Sequence, residues 1–165
     1  MVLLTLAAVV FLAACGQKGI DEPITLADQD NNEVTFPLEK PALFFFITEY
    51  TWGLCQKQLV ELHGNLDMFD DMDMEMYIIS IDKPEQQKEL YTQLKDYFGT
   101  SLPFISDPEM KLIDRFGMKN GDVAYRGYGI LDQNGKIVFK KVNDHWGEQI
   151  EQTVQDIEKE YKKIK

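Results

Sequence analysis

Along this chain the spacing of apolar residues changes period several times, and each change marks an element. Ala42-Leu43-Phe44-Phe45-Phe46-Ile47 is an unbroken apolar run of strand formers, the pattern of a strand covered on both faces. A turn holding Gly53 follows, then apolar residues at Leu59, Leu62, Leu66 and Phe69, which predicts an amphipathic helix starting at about Cys55. Met76-Tyr77-Ile78-Ile79-Ser80-Ile81 repeats the buried-strand pattern. Asp82-Lys83-Pro84-Glu85 then announces a helix, with a capping residue, an early proline and an acid. That helix is predicted to run to about Phe98 with Leu90, Leu94, Tyr97 and Phe98 on one face. Residues 102–106 read as a short extended piece, and Asp107-Pro108 as the cap of a helix through Leu112, Ile113 and Phe116 that stops at Gly117.

Two stretches alternate on both sides of turn residues. Ile24-Thr25-Leu26 and Val34-Thr35-Phe36 flank residues 28–32, and residues 125–131 and 136–140 flank Asp132-Gln133-Asn134-Gly135; both read as β-hairpins, the second with an Asn-Gly turn. Trp146 to the C-terminus, with Ile150, Val154, Ile157 and Tyr161, reads as a closing amphipathic helix. Strand-helix-strand order implies an α/β domain whose sheet is at least partly parallel. That domain is assigned to residues 23–165.

The first residues follow another pattern. Val2 to Ala14 is apolar apart from Thr5 and ends in small residues, the form of a cleaved secretory segment rather than a membrane span. Leu12-Ala13-Ala14-Cys15 resembles a bacterial lipobox. The resemblance implies a signal peptide over residues 1–14, lipidation of Cys15, and a polar tether over residues 15–22. It places the domain outside the cytoplasm, anchored to a membrane by acyl chains.

Charge narrows the choice of partners. With 28 Asp and Glu against 17 Lys and Arg, a formal charge of -11 argues against nucleic acid, which demands a basic face. It also leaves lipid, not surface charge, to hold the protein at an anionic bilayer. Acids and methionines interleave over residues 67–76, without the glycine a calcium loop needs; the segment reads as a solvated connection whose methionines partly face the core. His63 and His145 are read as helix-surface or cap residues, and no metal or organic cofactor is implied.

Cysteine count carries the chemistry. The sequence has two cysteines, and lipidation consumes Cys15, which leaves Cys55 without an internal partner. A thiol at a helix N-terminus meets unsatisfied backbone N–H groups and the positive end of the helix dipole, both of which favour thiolate. The C-terminal end of a buried strand is also where open α/β sheets place their sites.

Taken together, Phe44-Phe45-Phe46, Ser80-Ile81-Asp82 with Pro84-Glu85, Leu102-Pro103-Phe104 with Ser106-Asp107-Pro108, and Arg126 leading into Ile130-Leu131-Asp132 and Gly135-Lys136-Ile137 resemble the peroxiredoxins. These are the alkyl hydroperoxide reductase and thiol-specific antioxidant group of the thioredoxin-fold superfamily. The likeness covers nearly all of residues 24–160. It implies a thioredoxin-like fold: a central mixed β-sheet flanked by helices, with an N-terminal β-hairpin. Cys55 resembles the peroxidatic cysteine, Gln58 the Glu or Gln three residues after it, and Arg126 the arginine that opens the late strand. Two positions depart from the family: Trp52 stands where it has threonine, with Thr51 one place further back, and Thr48 where it has proline. Thr51 is assigned the hydrogen bond of the family's threonine hydroxyl, which Trp52 lacks.

The resemblance implies a one-cysteine thiol peroxidase that reduces a peroxide through Cys55, is recycled by an external thiol or thioredoxin-like reductant, and pairs as a homodimer. The loop around Trp52 also resembles the Trp-Cys-x-x-Cys motif of membrane-anchored thioredoxin-like reductases with its first cysteine gone. A thiol-disulfide oxidoreductase acting on a disulfide substrate, a redox sensor and a non-catalytic binding module are the alternative readings.

Overall fold

The computed structural model describes residues 19–49 and 53–165. Cys15, Thr51 and Trp52 lie outside the described residues. Strand β1 (Ile24–Asp28) pairs antiparallel with β2 (Glu33–Phe36), which is the expected N-terminal hairpin. Strand β3 (Ala42–Phe46) runs parallel to β4 (Glu75–Ser80), and β4 runs parallel to β5 (Phe104–Ser106). Strand β8 (Gly127–Leu131) lies antiparallel to β3 and to β9 (Ile137–Val142), the expected second hairpin. The sheet order β2-β1-β5-β4-β3-β8-β9 is thus mixed, and β3 sits next to its centre. A separate two-residue ribbon, β6 (Lys119–Asn120) with β7 (Val123–Ala124), has no counterpart in the hydrophobic pattern.

All five residues of β3 are buried, and alternation sends them to different layers. Leu43, Phe45 and Ile47 join a core with residues of α1 (Gly53–His63), α2 (Pro84–Phe98) and α4 (Ile150–Tyr161). Ala42, Phe44 and Phe46 join a second core with α3 (Lys111–Arg115) and Phe36. Two covered faces explain why this run carries no polar residue.

The Ser-Ile-Asp and Ser-Asp-Pro stretches tie helices to strand ends. Ser80 Oγ donates to Asp82 at 2.7 Å and accepts from Gln87 Nε2 at 3.1 Å, while Ser106 Oγ donates to the Asp82 carbonyl at 2.7 Å. Asp107 caps α3 through three backbone N–H groups at 2.7–2.9 Å.

Several sequence expectations change in three dimensions. Helix α1 ends at His63, and Leu66–Phe69 is a separate 3-10 turn. Tyr97 is 80% exposed, although its spacing put it with Leu90 and Leu94, which are buried. Lys83, not Asp82, is the N-cap of α2, because the Asp82 carboxylate is held by Ser80. Trp146 precedes α4 and is buried, so the closing helix begins later, at Ile150. The end of the proposed tether docks on the domain: Ile20 is buried and its N–H donates to Gly135 at 2.6 Å. His63 is buried as well, not on the helix surface.

Candidate active site around Cys55

Cys55 is the third residue of α1, in its first turn, where the sequence places it. It is buried and unbridged, in the core that also contains Ile47, Leu59, Tyr128 and Trp146. Strand β3 ends at Phe46, before it in the chain.

Register brings Arg126 to the same end of the sheet. Phe46, the last residue of β3, pairs with Gly127, so Arg126 stands where β3 gives way to the loop toward Cys55. Its guanidinium is nearly buried, with 12% of the side chain exposed. Arg126 Nη1 donates to Thr48 Oγ1 at 3.1 Å, and Nη2 pairs with the Asp144 carboxylate at 2.8 Å. A buried guanidinium requires such partners. Thr48, at the position where the resembling family has proline, is buried and supplies one of them.

Gln58, counted with the candidate catalytic residues through the resemblance, has its side chain engaged by a distant segment. Its side chain is fully buried and binds the β9–α4 connection: Gly147 and Glu148 N–H groups donate to Gln58 Oε1 at 2.5 and 3.2 Å, and Gln58 Nε2 donates to Glu148 at 3.2 Å. Lys57 forms an ion pair with the same carboxylate, and His145 Nδ1 lies 2.7 Å from it. Lys57 first, then His145 and Gln58, hold the Glu148 carboxyl down to a pKa of about 2. Between these anchors Trp146 packs on Phe45, ring centroids 5.0 Å apart.

The structure therefore brings Arg126 to the entrance of the Cys55 loop and turns Gln58 toward residues 147–148. Sequence reasoning missed Thr48 as an arginine partner, and Asp144 and Glu148 altogether. The one available signal was Gly147 directly after Trp146, a glycine beside a large aromatic residue in a polar stretch, which suggests a close backbone approach. Among the described residues no cluster of His, Cys, Asp and Glu is suited to hold a metal ion, and no helix is long and apolar enough to cross a membrane.

The sequence profile of the AhpC/TSA family matches residues 15–140. Alkyl hydroperoxide reductase E of Mycobacterium bovis is 31% identical over 126 residues, covering 72% of this chain and 79% of that protein; the protein of the same name in Mycobacterium tuberculosis matches to the same extent. Among solved structures, peroxidoxin BcpB of M. tuberculosis superposes with a TM-score of 0.65 at 18% identity, over 86% of this chain and 99% of its own. Enterococcus faecalis AhpC gives 0.67 at 19% identity, over 83% and 89%. These two share the fold.

Proposed function

We propose a reaction that starts from family membership: this chain belongs to the AhpC/TSA family, the peroxiredoxins, whose profile matches residues 15–140, and Cys55 is its reacting thiol. It is a peroxidase-type oxidoreductase. The Cys55 thiolate attacks one oxygen of a peroxide and the O–O bond breaks. Sulfur, oxidised by two electrons, becomes sulfenic acid, while the other oxygen leaves and takes up a proton as water or an alcohol. Arg126 holds the neutral peroxide, polarises its O–O bond and stabilises the negative charge that develops on the departing oxygen. Thr51 donates the hydrogen bond for which the family uses threonine at the place of Trp52. Gln58 keeps its partner role to the β9–α4 connection.

Recycling needs an external thiol. A first thiol condenses with the sulfenic acid to a mixed disulfide and water, and a second displaces Cys55 and leaves as the reductant's own disulfide. The one-cysteine character rests on the two cysteines of the sequence, of which Cys15 is assigned to the lipid. Anchoring through Cys15 on the extracytoplasmic face rests on the Leu12-Ala13-Ala14-Cys15 tetrad alone. A homodimer is part of the same reading.

The observation that carries the reaction is a cysteine in the first turn of α1 with a nearly buried arginine at the strand end beside its loop. Peroxide added to the protein should produce a Cys55 sulfenic acid that a sulfenic-selective nucleophile traps and a thiol reverses, and Cys55→Ser should abolish peroxide consumption. If Cys55 stays unlabelled while methionines oxidise, the peroxidase reading fails and the binding-module reading takes its place.

A further inference from the structure

Arg126 is held by a segment far from it in sequence. Residues 143–148 begin as a continuation of the β8–β9 ladder: Gly127 pairs with Val142, and the Asn143 N–H donates to the Arg126 carbonyl at 3.0 Å. One residue on, Asp144 meets Arg126 Nη2 at 2.8 Å. The Asn143 side chain accepts from the His145 N–H at 2.9 Å, which closes a tight turn around Asp144. The segment then fastens to the cysteine helix at Gln58, three residues after Cys55 and so on the same side of α1. Gly147 permits that contact: a Cβ there would stand 2.5 Å from the Gln58 carbonyl oxygen and 2.7 Å from its Cα.

We propose that Asp144 is a positioning residue, and that the segment 143–148 is a strap that sets the Arg126 guanidinium relative to Cys55. One end of the strap grips the arginine and the other grips the helix that carries the thiol, so the two reacting groups are registered through a single short piece of chain. Thr48 and Asp144 bind different nitrogens of the guanidinium. A planar group held at two nitrogens keeps its rotation about the Cζ–Nε bond fixed. An ion pair at the open surface would do none of this; Asp144 is 56% exposed, but the arginine it holds is not.

This inference rests on the peroxidase reading for its kinetic consequence, and the test separates the two. Second-order rates of Cys55 oxidation by hydrogen peroxide are measured for the wild type, Asp144→Asn, Asp144→Glu, Arg126→Gln and the Asp144→Asn/Arg126→Gln double variant. Alkylation by iodoacetamide at the same pH, which does not need an arginine-bound oxygen, serves as the control. Asp144→Asn should slow peroxide oxidation by about tenfold, the scale of a misplaced catalytic group, while alkylation changes by less than about twofold, small beside that effect. Asp144→Glu should recover part of the rate, and Asp144→Asn should add nothing in the Arg126→Gln background. Equal rates for wild type and Asp144→Asn, or effects that multiply in the double variant, would overturn the proposal. NMR of the guanidinium gives an arm independent of peroxide: restricted Arg126 rotation in the wild type should be lost in Asp144→Asn. A wild type inert to peroxide that shows this loss removes the peroxidase reading and supports the strap; an arginine equally restrained in both proteins overturns the strap.

Discussion

Thr48 shows how a single side chain can supply a partner to a nearly buried charge. Its hydroxyl accepts from Arg126 at 3.1 Å at a position where the family has proline, which has no side-chain acceptor to offer. Thr48→Val keeps the shape and removes the acceptor, and should cost about 1.5–3 kcal/mol in denaturant unfolding, the worth of a hydrogen bond to a charged group. Gln58 and Gly147 make a second pair. Gly147→Ala forces a methyl against the backbone of α1, so the strap must lift or the helix shift. We expect a loss of about 1–3 kcal/mol, read as a lower midpoint in a chemical melt. A variant as stable as wild type would show that the strap gives way freely.

At the scale of elements, His63 joins the C-terminal end of α1 to the approach to β5. Its Nδ1 lies 2.7 Å from the Leu59 carbonyl and its Nε2 accepts from the Leu102 N–H at 3.2 Å. Nδ1 therefore carries the proton and the ring is neutral, since a protonated Nε2 could not accept. Burial pushes its pKa below the usual histidine value. The unfolded chain takes up a proton near pH 6.5, whereas the folded ring does so only at lower pH. His63 therefore contributes stability that is present above the unfolded value and lost as the pH falls through the folded one. His63→Gln should flatten the pH dependence of stability in that window, as urea midpoints between pH 7 and 5 would reveal; an unchanged slope would assign it to other groups. The α3 cap is a second element-scale device. Removing three acceptor contacts in Asp107→Ala should cost about 2 kcal/mol and melt α3 first, visible as faster amide exchange at Lys111, Leu112 and Ile113.

For the whole molecule, β3 is the shared wall of two cores, and its neighbours β4 and β8 hold the site at one end. Phe45 packs on Trp146 and edge-on against Phe69, so Phe45→Ala would empty the core beneath both the cysteine helix and the strap. It should lose about 3–5 kcal/mol and slow Cys55 oxidation beyond what stability alone predicts. The proposed anchor is likewise tested on the whole chain. Expressed with its first residues intact, the protein should partition with membranes and carry a lipid on Cys15, while Cys15→Ser should carry none. Mass measurement of the N-terminal peptide decides this, and an unmodified Cys15 thiol on a soluble product would remove the anchor from the reading.

What the sequence determined by itself is whatever depends on near neighbours along the chain. Six consecutive apolar residues can only be a buried element, and Cys55 after Gly53 can only open the helix that Leu59 and Leu62 continue. Pro84 likewise opens α2, because proline tolerates a first turn, and the expected end near Phe98 is where the structure places Gly99 in the left-handed conformation. Tertiary structure alone decided which distant groups meet. Gln58 and Gly147 lie 89 residues apart, and Thr48 and Arg126 lie 78 apart; no local period encodes those pairs. Tyr97 has the spacing of a core residue yet faces outward, and His63 the look of a surface residue yet is buried. For these two residues the physical reason is the same: periodicity says which face of a helix is apolar, but only packing decides how far a residue is covered, as the Leu102 N–H and the Phe98 ring against His63 show.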